Sequence, residues 1–116
     1  MTRLGKRYIE QERPQVLYIM QNGGTNEYKI GITDDLNKAH KAIQVGCPNE
    51  LRIVKIWTHH QKEVIAKYEQ ILHNHFKICR LRDDGGWYRL AKEDIVELCT
   101  PNSIYEQDEV ARELTI

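Results

Sequence analysis

The sequence has no long apolar run. Its longest uninterrupted stretches are a handful of residues, as in VLYIM at 16–20, far below the ~20 needed to cross a bilayer. The opening MTRLGKRYIEQERPQ carries basic residues with no apolar segment behind them, so it does not read as a secretory signal. No membrane association and an intracellular location are therefore expected. Cysteine is scarce: Cys47, Cys79 and Cys99 are isolated, odd in number and form no CxxC pair. That excludes a disulfide framework and a structural zinc site, and leaves packed thiols. There is no glycine-rich phosphate loop and no Ser/His/Asp order of a hydrolase triad. Net charge is also missing, with 17 basic residues against 17 acidic ones. Overall charge thus gives no support to a polyanionic partner.

What is present suits one small domain. The 116 residues are 41% hydrophobic and 29% charged, an ordinary globular balance with room for a single core. Residues 1–14 form a mildly basic arm, residues 15–100 the folded domain, and residues 101–116 an acidic tail expected to fray. QVLYIMQ reads as a central strand, because its apolar run suits burial on both faces. NGGTN is a turn tolerant of positive φ, and EYKIGIT pairs back as the second arm of a hairpin. Thr33 or Asp34 is placed to cap a helix, DDLNKAHKAIQ, that Gly46 and Pro48 stop. LRIVKIW is a third strand, its alternation placing Leu51, Ile53, Lys55 and Trp57 on one face. A helix over 61–77 has an apolar stripe of Val64, Ile65, Tyr68, Ile71, Leu72 and Phe76. A short strand, WYRLA, and a last helix, KEDIVELC, follow. The expected fold is α/β, a small three-stranded, mainly antiparallel sheet flanked by helices.

VLYIM around Tyr18 and KIGIT around Lys29 stand in the order and spacing of the two halves of the GIY-YIG nuclease signature, with Lys-Ile-Gly where that superfamily has Tyr-Ile-Gly. TDDLNKAHKAIQVGCPNEL resembles its first helix, EQILHNHF the helix bearing its metal-binding glutamate, and GGWYRL the closing strand of its phage-type branch. The resemblance covers roughly residues 15–96 and implies a divalent-metal-dependent DNA endonuclease acting on duplex DNA. Tyr18 would be the general base. Lys29 would supply the cation that a phenol of pKa ≈ 10 needs nearby, and would bind phosphate. Glu69 would be the sole protein ligand of Mg²⁺ or Mn²⁺. His40 and His73 would orient the base, touch phosphate or act as general acid, and Lys38 and Lys41 would contact DNA. A homodimer would let both strands be cut, and the location would be cytoplasmic or nucleoid-associated.

Each assignment has a plainer counterpart. Tyr18 also reads as a core aromatic, Lys29 as a solvated strand residue, and Glu69 as an exposed partner of His73 one turn on. His59, His60 and His75 read as surface or boundary residues, since adjacent residues on a strand point to opposite faces. One departure from the family pattern weighs against activity: Ala39 stands where the first helix normally carries an arginine. Loss of such a preorganised contact typically costs about 10²–10³ in rate. Lys38 and His40 project about 100° away around the helix. The sequence thus fits a nuclease with an impaired site, natural or engineered. It also fits a non-catalytic nucleic-acid-binding or protein-interaction module on the same fold.

Overall fold

The computed structural model describes residues 14–81 and 85–101. The basic arm and acidic tail expected at the two ends lie almost wholly outside those residues. Four strands and three helices occur in the order β1 (Val16–Asn22), β2 (Glu27–Thr33), α1 (Leu36–Val45), β3 (Leu51–Thr58), α2 (Lys62–His75), β4 (Trp87–Arg89) and α3 (Lys92–Cys99). A 3₁₀ turn, Lys77–Cys79, follows α2. The sheet is fully antiparallel with order β3-β1-β2-β4, so the expected three-stranded sheet has four strands. The fourth is the short WYRLA strand, trimmed to Trp87–Arg89, which joins the sheet by pairing with Glu27–Lys29.

β1 is central, as its continuous apolar run requires, and Leu17 to Met20 are all buried. Its odd residues Leu17 and Ile19 join Tyr28, Ile30, Trp57 and Tyr88 in a core against Ile65, Tyr68 and Leu72 of α2 and Leu98 of α3. Trp57 meets Tyr68 edge to face, at 5.3 Å and 87°. Its even residues Tyr18 and Met20 point to the opposite face, where Leu51 and Leu36 and Ile43 of α1 form a smaller cluster with Trp87. The sheet is therefore covered by α2 and α3 on one face and by α1 on the other.

Two local expectations are corrected. The cap of α1 is Asp35, not Thr33 or Asp34: its carboxylate accepts from the Lys38 N–H at 3.1 Å, while Thr33 Oγ1 accepts from Asp35 N–H one turn earlier. The simple alternation read for β3 also fails. A bulge lies between the Ile19–Lys55 and Met20–Ile53 pairings, so Val54 is an extra residue and the faces exchange. Trp57 and Lys55 face α2. Ile56 and Ile53 lie with Tyr18 and Met20, and Ile53 is 45% exposed.

Candidate functional site

Tyr18 and Gly31 are directly opposed in the β1–β2 ladder, as are Met20 and Lys29. A two-residue period then puts Tyr18, Lys29 and Gly31 on the α1 face. Gly31 is needed for close approach. A Cβ there would sit 2.5 Å from the Tyr18 hydroxyl and 2.7 Å from its ring carbon Cζ, so the phenol occupies the space that any other side chain would fill. Tyr18 is only 4% exposed. The Lys29 ammonium donates to the Gly85 carbonyl and lies 5.8 Å from the centre of the Trp87 ring.

β4 pairs with Glu27–Lys29 only. Past the bond from Ile30 N–H to the Gly86 carbonyl, no neighbouring strand continues that edge of β2 among the described residues. Here α2, from the other face, presents Glu69 and His73. Their side chains are 22% and 23% exposed, with the His73 Nε2 3.3 Å from a Glu69 carboxylate oxygen. His73 Nδ1 bonds the Tyr88 hydroxyl, and Arg80 Nη2 donates to that hydroxyl at 3.3 Å. A carboxylate only accepts and a guanidinium only donates. For a neutral imidazole the direction of the chain follows: Arg80 to Tyr88 oxygen, Tyr88 O–H to His73 Nδ1, His73 Nε2–H to Glu69. Gly86, at φ +66, lets the chain pass closely; a Cβ there would meet the Ile30 carbonyl at 2.8 Å and His73 at 3.4 Å.

Electrostatics tie these groups together. Burial, and then the negative charge of Glu69, push the Tyr18 phenol above its ordinary value. Burial pulls Lys29 below its ordinary value, while Glu69 works in the opposite direction. Lys29 therefore does not produce the lowered phenol pKa expected of it, and Tyr18 is a neutral hydroxyl near neutral pH. The geometry offers a single half-exposed carboxylate, and no group of three or more His, Cys, Asp or Glu occurs among the described residues. One carboxylate suits a hydrated Mg²⁺, which keeps most of its waters, and does not suit a zinc cage.

The structure thus brings Tyr18, Lys29, Glu69 and His73 to one edge of the sheet, and leaves His40 apart. The His40 ring lies 2.9 Å from the Leu51 carbonyl, on the flank of α1 where Gln44 also meets Leu51. Ala39 and Ala42 follow the opposite, β4-side flank by helical rotation; Lys38 and Lys41 are exposed. His59 departs from the expected surface role: it is 8% exposed and its Nδ1 accepts from Gln61 N–H, turning the chain into α2. His59 and His60 stack at 4.3 Å, because β3 ends at Thr58 and strand alternation no longer separates them. Sequence reading missed Arg80, Tyr88 and Gly86, whose parts depend on pairings between distant segments. No periodicity signals such pairings, although the DDGG turn before Trp87 marks the place. The three cysteines are free and half-buried. No described helix is long and apolar enough to cross a membrane.

A family model described as T5orf172 domain matches residues 15–101. It overturns the assignment to the GIY-YIG superfamily, whose model does not match. Lys-Ile-Gly in place of Tyr-Ile-Gly and Ala39 in place of arginine are where the chain departs from the GIY-YIG pattern. No curated protein and no solved structure matches the chain.

Proposed function

The chain belongs to the T5orf172 domain family, and from that premise we propose that it is a divalent-metal-dependent module that hydrolyses phosphodiester bonds in DNA. The family is one of nuclease-like, nucleic-acid-related domains, which bounds the activity without choosing the reaction. The observation that carries the choice is the convergence of Tyr18, Lys29 and the Glu69–His73 pair at the open edge of β2. Lys29 is a point charge for a phosphate oxygen. Glu69 would hold Mg²⁺ or Mn²⁺, which when bound supplies Lewis-acid polarisation of the phosphate. Tyr18 orients the attacking water through its hydroxyl; once the charge of Glu69 is offset and the phenol has lost its own proton to solvent, the phenolate accepts one from that water. The water oxygen adds to phosphorus as the bond to the leaving oxygen breaks, the leaving oxygen takes a proton from solvent, and His73 holds Glu69 in place. Arg80, through Tyr88, holds His73 in the tautomer that faces Glu69.

A second reading, a binding module without catalysis, has one observation behind it: the Tyr18 phenol is shifted the wrong way for a base. Plasmid cleavage with Mg²⁺ and Mn²⁺ separates the two. We expect metal-dependent nicking by this chain and none by Glu69→Gln. If neither cuts while both bind DNA equally, hydrolysis is refuted and the binding module stands.

A further inference from the structure

Beside the cluster just described runs a cleft of about 550 Å³ between the β4-side flank of α1 and the β2–β4 edge, lined by Asn22, Glu27, Ala42, Ile43, Cys47 and Trp87 among others. We propose that this cleft is a nucleobase subsite, so that the substrate strand is held with one base unstacked beside the scissile phosphate. The proposal rests on the phosphodiesterase reading above and adds the form of the substrate, single-stranded or locally opened DNA.

Three features lead there. Trp87 lines the cleft and is half-buried, offering an aromatic face of the kind on which bases stack irrespective of sequence. Lys29, 5.8 Å from the centre of that ring, stands between the cleft and Tyr18, so a nucleotide with its phosphate on Lys29 has its base within reach of Trp87. The charge of the cleft selects which half of the nucleotide enters. Among the described residues its one charged side chain is the Glu27 carboxylate, which accepts from Asn22 Nδ2 at 3.2 Å and lies 3.8 Å from Arg89. A carboxylate repels phosphate and accepts from amino and imino groups of a base edge. The Asn22 side-chain Oδ1 accepts from Cys47 Sγ and from Asn49 Nδ2, each at 3.1 Å, which fixes the polar end of the cleft before any ligand arrives. A stacked duplex cannot place a base there without flipping it, which costs unstacking energy.

The test is binding in metal-free buffer, by fluorescence anisotropy of a labelled short single-stranded oligodeoxynucleotide, the same strand with an abasic site moved through each position, and its full duplex. One abasic position should weaken binding roughly ten-fold. Trp87→Leu and Ala42→Phe, the latter filling the cleft from the surface of α1, should bind the intact strand that much more weakly and show no further abasic penalty. Trp87→Phe should recover most of the affinity. A variant-free check is available because Trp57 is fully buried: deoxynucleoside monophosphates should quench the fluorescence of Trp87, and inorganic phosphate should not. An abasic scan without a position-dependent loss, a penalty that persists in folded Trp87→Leu and Ala42→Phe, tighter binding of the duplex, or no binding at all would each overturn the subsite. Base-dependent binding without plasmid cleavage would remove hydrolysis and leave the subsite. Cleavage without base-dependent binding would do the reverse.

Discussion

Gly31 gives the most direct residue-level handle on the site, because its missing side chain is where the Tyr18 hydroxyl sits. Gly31→Ala forces an overlap that neither strand of the central ladder relieves easily. The expected cost is about 1–3 kcal/mol of stability. The larger effect should be on function, since a displacement of an ångström at a reacting group costs on the order of 10²-fold in rate. Thermal melts beside plasmid cleavage check both. A variant as active as the parent would show that the phenol position does not matter. Tyr18 and Glu69 were legible as candidates from sequence because each interrupts or belongs to a pattern on its own element. The sign of the Tyr18 shift was not legible. It depends on burial under α1 and on a carboxylate from the opposite face of the sheet, neither of which a linear pattern contains.

Among elements, β4 and α2 are joined by the Tyr88–His73 bond. Tyr88→Phe keeps the buried ring and removes only the hydroxyl, leaving His73 Nδ1 without its donor and Arg80 without its acceptor. A loss of about 0.5–1.5 kcal/mol is expected, because His73 is half-buried and Arg80 exposed, so water can take up both groups. If His73 positions Glu69, the Mg²⁺ concentration needed for half-maximal cleavage should rise about 10–100-fold, as is typical when a partner that holds a metal ligand is lost. Unchanged metal dependence with lowered stability would leave Tyr88 a structural residue. Elements divide by legibility along the same line. The hairpin, α1, α2 and α3 could be read because their periodicity is local. The pairing of β4, the bulge at Val54 and the separation of His40 from the cluster could not, since each is settled by a partner far along the chain. The family assignment to GIY-YIG is overturned by the T5orf172 match; Lys29 and Ala39 are where this chain departs from the GIY-YIG pattern.

For the molecule as a whole, the site carries a stability cost with a defined pH signature. A lysine held below its ordinary 10.5 binds fewer protons folded than unfolded between the two values. Stability therefore rises with pH across that window, and Lys29 is a burden at neutral pH. Tyr18, held above 10.0, acts oppositely, and only as pH passes 10.0. Lys29→Met should accordingly be at least as stable as the parent at pH 7, with the difference narrowing toward pH 10. Denaturant melts at several pH values measure it, and a less stable Lys29→Met at pH 7 would show that the ammonium's bonds to Gly85 and Trp87 outweigh its burial. The shortness of β4 has a consequence of its own. With three residues it closes only part of the β2 edge; among the described residues no other strand covers the rest, past which Glu69 raises the Tyr18 phenol. That vacancy is a template: an extended peptide laid antiparallel along Gly31–Thr33 would complete the ladder and screen the carboxylate from the phenol. The same backbone groups that leave the sheet unfinished thus define the shape of an antagonist.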